Sequence, residues 1–187
     1  MEAFLVSTGL VAIAEIGDKT MLLAIVLAAR FRKPVPILLG ILVATIANHA
    51  LAATVGALAG DWLQGPWMKW VLGIAFLAFA GWALIPDKFE DDEAPSAVKA
   101  GSVFLTTAIA FFFVEMGDKT QVATVALAAR FHEILWVAAG TTAGMMLANA
   151  PAVFIGEAAA QRLPLKYIRW TAAACFAAIG LWILVAG

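Results

Sequence analysis

Long apolar runs dominate the chain, and polar residues fall mostly between them. Six stretches read as membrane helices: 3–29, 36–60, 67–85, 101–129, 134–160 and 166–186. About 20 apolar residues in a helix cross a hydrocarbon core about 30 Å thick. Arg32-Lys33-Pro34, the Gly65-Pro66 pair and Pro164 punctuate the runs. A membrane barrel would instead need short strands that alternate apolar and polar residues. Here the runs are long and rich in Ala and Leu. Trp62, Trp67, Trp70, Trp136 and Trp170 stand near the proposed ends, where amphipathic rings favour the membrane–water interface. The pattern predicts an all-α integral membrane protein with six spans.

Composition agrees and narrows the choices. Of 187 residues, 64% are hydrophobic and 13% charged, against about 25% charged in a soluble domain. The net charge of −1 offers no basic field to nucleic acid. The lone Cys175 excludes an internal disulfide and any multi-thiolate metal site. Met1-Glu2-Ala3 lacks the basic region of a signal peptide, so the first span is expected to stay in the protein. Loop charges set orientation. Arg30, Arg32, Lys33, Lys88, Lys99, Arg162, Lys166 and Arg169 share one side, against Lys69 and Arg130 on the other. The richer side is expected to be cytoplasmic, which leaves both termini outside.

Shifted by 100 positions, the sequence matches itself. Glu15-Ile16-Gly17-Asp18-Lys19-Thr20 meets Glu115-Met116-Gly117-Asp118-Lys119-Thr120. Leu27-Ala28-Ala29-Arg30-Phe31 recurs unchanged at 127–131. Gly40, Gly56, Trp70 and Trp82 meet Gly140, Gly156, Trp170 and Trp182. Residues 1–86 and 101–187 therefore form two three-helix repeats, joined by an acidic cytoplasmic linker at 87–100. Three spans reverse the chain, so the second repeat is inverted relative to the first, an architecture suited to alternating access.

Six charges sit where a membrane helix should carry none: Glu15, Asp18, Lys19, Glu115, Asp118 and Lys119. Facing lipid, they would together cost about 15–20 kcal/mol on insertion scales. They must face inward, pair, or bind something. In a continuous helix Glu15, Asp18 and Lys19 share one face, with the Thr20 hydroxyl nearby. Gly17 either admits a neighbouring backbone closely or opens the helix toward a ligand. Two Glu, two Asp and two Lys sum to −2, which one divalent cation neutralises. The bland alternative is two Glu–Lys pairs that hold the bundle together, but these leave Asp18 and Asp118 uncompensated. Hard oxygen donors suit Mn²⁺, Ca²⁺ or Mg²⁺. Asn48 and His49 lie mid-span in the second run, and Asn149 occupies the register of His49 in the fifth. An imidazole nitrogen would favour Mn²⁺ over Ca²⁺, although a lone buried His is more often a packing residue. Pro151 is expected to kink its helix beside Asn149.

The doubled E-x-G-D-[KR]-[TS] motif, one copy in each half, resembles the GDT-type cation exchangers, a family that includes Golgi manganese and calcium transporters and bacterial manganese exporters. The resemblance covers nearly the whole chain. It implies six core helices and exchange of Mn²⁺ or Ca²⁺ for protons, with no enzymatic activity and no cofactor. Glu15, Asp18, Glu115 and Asp118 would be cation ligands, and Lys19, Thr20, Lys119 and Thr120 would belong to the same site. Gln121 follows the family habit of Gln after Thr, whereas Met21 departs from it. The resemblance favours a bacterial inner-membrane exporter of Mn²⁺ driven by protons. The alternatives are a Ca²⁺/H⁺ antiporter on the same site, a passive channel, a membrane scaffold, and an intramembrane aspartyl hydrolase using Asp18 and Asp118. The partners expected are a divalent cation, protons and the lipid bilayer; a homo-oligomer is compatible with the sequence.

Overall fold

The computed structural model describes residues 1–62, 65, 67–85, 102–155 and 165–186. The regular elements described are all helices: α1 (Glu2–Glu15), α2 (Lys19–Phe31), α3 (Pro34–Trp62), α4 (Met68–Ala83), α5 (Val103–Glu115), α6 (Lys119–Phe131), α7 (Ile134–Ile155) and α8 (Leu165–Ala186). The acidic linker expected at 87–100 lies outside the described residues, as do Gly156, Arg162 and Pro164.

Among the described residues, three helices are long and apolar enough to cross a membrane, over Pro34–Asp61, Ile134–Phe154 and Lys166–Val185. The outward faces are apolar as well. Leu39, Val43 and Ile46, then Leu51, Val55 and Leu58, lie exposed along α3, and Leu105, Ile109 and Phe113 along α5. Their spacing of three and four residues makes continuous stripes. In water such stripes would be a large unpartnered apolar patch; in hydrocarbon they are the expected surface. The chain is an integral membrane protein. Pro151 sits inside α7 without ending it.

The first and fourth predicted spans are not continuous. The run 3–29 divides into α1 and α2, and the run 101–129 into α5 and α6. The physical cause lies in the motif. Gly17 and Gly117 adopt φ of +85° and +82°, a region that L-residues avoid and glycine enters freely. One extended residue precedes each glycine, Ile16 or Met116. Asp18 and Asp118 then restart the chain as N-caps of α2 and α6. The Oδ1 atom of Asp18 accepts from Lys19 N at 2.7 Å. Each break also uses a side chain four residues on. Gly117 N donates to Gln121 Oε1 at 2.6 Å, and Gly17 N donates to Met21 Sδ at 3.4 Å. Gln121 and Met21 thus perform the same task with different acceptors. In a membrane such freed backbone groups must find partners inside the protein.

The helices pack by exchange. α1 lies along α7, and α5 lies along α3. A Cβ built on Gly140 would stand 2.6 Å from Phe4 O and 3.0 Å from Ser7 Cβ. On Gly40 it would stand 2.7 Å from Phe104 O and from Thr107 Cβ. Phe104 and Thr107 are the residues 100 positions on from Phe4 and Ser7, so the two contacts are one contact made twice. α4 packs against α8, and there Phe76 meets its own counterpart Phe176, with ring centroids 6.3 Å apart.

These contacts predict the cost of filling each glycine. Gly40→Leu and Gly140→Leu are each expected to destabilise by about 1–3 kcal/mol through overpacking. Gly81→Ala, where an added Cβ meets nothing within 4 Å, should be neutral or stabilising. Thermal unfolding of the purified variants in detergent measures the order. At the break, Gln121→Met should leave stability unchanged, because Met21 already serves in the other half. Gln121→Ala should cost about 1 kcal/mol for the lost acceptor, readable in the same melts.

Candidate metal centre

Because α1 ends at Glu15 and α5 ends at Glu115, both glutamates project from helix ends inside the protein. Both are buried, as are Asp18, Asp118, Thr20 and Thr120. The expected single helical face of Glu15, Asp18 and Lys19 does not exist, since the helix stops and restarts between them. The break redirects the charges. Thr20 Oγ1 donates to Glu15 Oε2 at 2.6 Å, and Thr120 Oγ1 donates to Glu115 Oε1. Lys19 Nζ reaches across to the other motif, 3.8 Å from Asp118 Oδ1. The two self-contained Glu–Lys pairs of the bland alternative are replaced by a cross-link between the halves.

Carboxylate oxygens of Glu15, Glu115 and Asp118 all lie within 4.8 Å of one another. Glu15 Oε1 and Glu115 Oε2 are buried and have no hydrogen-bond partner. Two unit charges 4 Å apart repel by about 4 kcal/mol at an effective dielectric of 20, so three carboxylates at this spacing need a cation or protons. Lys19 supplies one positive charge. The cluster of Glu15, Glu115, Asp118 and Lys19 then carries −2 when every group is ionised, which matches one divalent cation. The donor set fits such an ion: buried, close, anionic, and with lone pairs unspent.

Asp18 stands apart from this cluster. It lines a narrow, partly enclosed cleft of about 20 Å³, together with Gly17, Ile13, Phe79, Lys119 and Arg169. Lys119 Nζ also donates to Ile85 O at 3.4 Å. Of the four carboxylates expected as ligands, three are assembled within 4.8 Å of one another and the fourth, Asp18, lines the neighbouring cleft. Arg169 was read from sequence only as a loop charge; its place in the cleft depends on tertiary packing, and no local signal marks it.

The polar residues of α3 and α7 are buried too. Asn48 Nδ2 donates to Phe112 O at 3.0 Å, linking α3 to the last turn of α5. Asn149 Nδ2 donates to Met145 O at 3.0 Å within α7. His49 is fully buried, and its Nε2 lies 3.8 Å from Glu115 Oε1. Thr124, which the sequence reading passed over, is buried on α6 and donates to Thr120 O at 2.7 Å, steadying the turn that carries the Glu115 partner.

The family model described as "Divalent cation/proton antiporter GDT1" matches residues 3–91 and 103–187. A protein of Vibrio cholerae named "Putative manganese exporter" is 48% identical over 182 residues, covering 97% of this chain and 90% of that protein. "GDT1-like protein 5" of Arabidopsis thaliana is 25% identical over 221 residues, covering 99% of this chain and 96% of that one. No solved structure matches the chain. The matched span takes in both broken helices and every residue of the carboxylate cluster, and on that ground the chain belongs to the GDT1 family of divalent cation/proton antiporters.

Proposed function

We propose that the protein exports Mn²⁺ from the cytoplasm in exchange for protons, through a site whose ligands are Glu15, Glu115 and Asp118, with Asp18 receiving the ion from the cleft. The observation that carries this reading is the convergence of three buried carboxylates from two separate broken helices. The name of the Vibrio cholerae relative supports manganese as the cargo. Lys19 lowers the charge of the empty site, so that losing the ion does not leave three carboxylates uncompensated. Thr20 and Thr120 orient the glutamates by the hydrogen bonds described above. Protons and metal compete for the same oxygens, which couples release of one to uptake of the other.

The two halves, 1–86 and 101–187, act in this proposal as inverted repeats of three spans each, with α1–α2 and α5–α6 each counting as one broken span. The exchanged Gly40 and Gly140 contacts and the Phe76–Phe176 pair support a two-fold relation between the halves. The packing about that axis is unequal. Ala3 and Leu10 of α1 and Ala126 and Leu127 of α6 join the core that holds Phe76 and Phe176. Leu23 and Leu27 of α2 and Phe111 of α5 join a second core with α3. Exchanging the roles of the halves would seat α2 and α5 on the α4–α8 pair and close the cleft at Asp18. That exchange is the alternating-access step. Loop charge supports a cytoplasmic cleft, with Arg169 in it, and in this reading both termini face the periplasm of a bacterial inner membrane.

A second reading keeps the site and changes the cargo. A cluster of oxygen donors also suits Ca²⁺, which makes Ca²⁺/H⁺ exchange the alternative. Flux in proteoliposomes separates the two. With an imposed pH gradient, Mn²⁺ should move against its own gradient faster than Ca²⁺ or Mg²⁺, and an imposed Na⁺ gradient should not replace the protons. Glu15→Gln and Asp118→Asn should abolish this flux while the protein still inserts; normal flux through both would refute the site. Thr120→Val should lower apparent Mn²⁺ affinity by about 10–100-fold, as loss of a partner that orients a ligand does.

Orientation is tested separately with thiols. In a Cys175→Ala background, Arg169→Cys in the cleft should react with an impermeant thiol reagent added from the cytoplasmic face, and excess Mn²⁺ should slow the reaction. Labelling only from the periplasmic face would reverse the assignment.

A further inference from the structure

The carboxylates do not use up the donors at the centre. His49 of α3 is fully buried, and neither Nδ1 nor Nε2 has a hydrogen-bond partner. Leaving a buried donor or acceptor unsatisfied costs about 1–3 kcal/mol, so an imidazole held this way calls for a ligand. Its Nε2 lies 3.8 Å from Glu115 Oε1. That is too long for a hydrogen bond. It is the separation of two donors on one ion: ligands about 2.1–2.3 Å from a shared cation, at angles of 90–120°, stand about 3.0–4.0 Å apart. Glu115 is itself one of the three clustered carboxylates, so the imidazole borders the cluster.

The position is also where the two halves differ. Residue 149, the counterpart of His49, is asparagine, whose side chain is tied to Met145 O. A two-fold site would carry the same donor from each half. This one offers an imidazole nitrogen from one half only, against carboxylate oxygens from both. Nitrogen changes which ion is held. Ca²⁺ and Mg²⁺ take oxygen ligands, whereas first-row transition dications accept imidazole readily, and along that row affinity for a common site rises from Mn²⁺ through Fe²⁺ to Co²⁺.

We infer that His49 Nε2 is a direct ligand of the transported ion and is the residue that makes the site selective for first-row transition dications over Ca²⁺ and Mg²⁺. The inference rests on the carboxylate site proposed above. It carries a consequence that a purely carboxylate site does not: Ca²⁺, which takes oxygen ligands, should compete poorly with Mn²⁺, while Co²⁺, favoured over Mn²⁺ by nitrogen and oxygen donors alike, should compete at least as well as Mn²⁺ itself.

Pulsed electron paramagnetic resonance on Mn²⁺ bound to the purified full chain tests this directly. The chain has two histidines, and His132, about half exposed, pairs with Asp61 at 3.2 Å away from the cluster. A ¹⁴N coupling to Mn²⁺ is expected, replaced by ¹⁵N when histidine is isotopically labelled, which needs no variant. His49→Asn, which installs the counterpart residue, should lose the coupling and weaken Mn²⁺ binding by about 10–100-fold. Ca²⁺ binding should move by less than about threefold, which also shows that the variant is folded; His49→Gln should behave alike. Mn²⁺ binding that depends on Glu15 but shows no nitrogen coupling, with Mn²⁺-over-Ca²⁺ preference unchanged in His49→Asn, would overturn this inference and leave the carboxylate site standing. Mn²⁺ binding indifferent to Glu15→Gln would overturn the carboxylate site itself.

Discussion

The structure turns on keeping three carboxylates together inside a membrane protein. Glu15, Glu115 and Asp118 lie close enough to repel strongly, with Lys19 beside them. Continuous helices can also gather carboxylates in a bundle core, but this chain gathers them at helix ends. Ending α1 and α5 at their glutamates solves the geometry. The two helix ends can point at each other, and Asp118, Thr20 and Thr120 fold back onto them. The left-handed glycines are what permit the break, and Met21 and Gln121 accept the backbone N–H groups that it frees.

Close packing supports that arrangement from a distance. The glycines of α3 and α7 let α5 and α1 approach until backbone touches backbone, as small residues do in membrane bundles. Because Gly40 and Gly140 make equivalent contacts on opposite halves, the two broken helices are held alike. The cores differ, however. α1 and α6 share the aromatic core of α4 and α8, whereas α2 and α5 share the other. In the proposed exchange of the halves, these unequal cores trade places while the glycine contacts are kept. That is the physical basis for reading the cluster as a transport site rather than a fixed strut.

Much of this was legible in the sequence. The all-helical membrane character followed from the apolar runs, and the two motif copies marked the charged centre. The boundaries of α3, α4 and α8 fell within two residues of the predicted spans at the ends that are described. What periodicity missed was the break itself. The run 3–29 is apolar on both sides of Gly17, so hydropathy sees one span; only the φ that glycine adopts divides it. The cross-link from Lys19 to Asp118 was hidden because its partners are 99 positions apart, whereas Glu15 and Lys19 looked like neighbours on a helix that does not form. The separation of Asp18 from the cluster was hidden for the same reason. In the motif it is indistinguishable from Asp118, and the difference between them appears only in the tertiary structure.

The central claim is that both broken helices hold one ion between them. Equilibrium binding of Mn²⁺ to the purified chain, with stoichiometry as the readout, tests it most directly. One ion per chain is predicted, with Glu15→Gln and Glu115→Gln each abolishing binding of that one ion. Two ions per chain, each lost with only its own half's glutamate, would contradict a shared site.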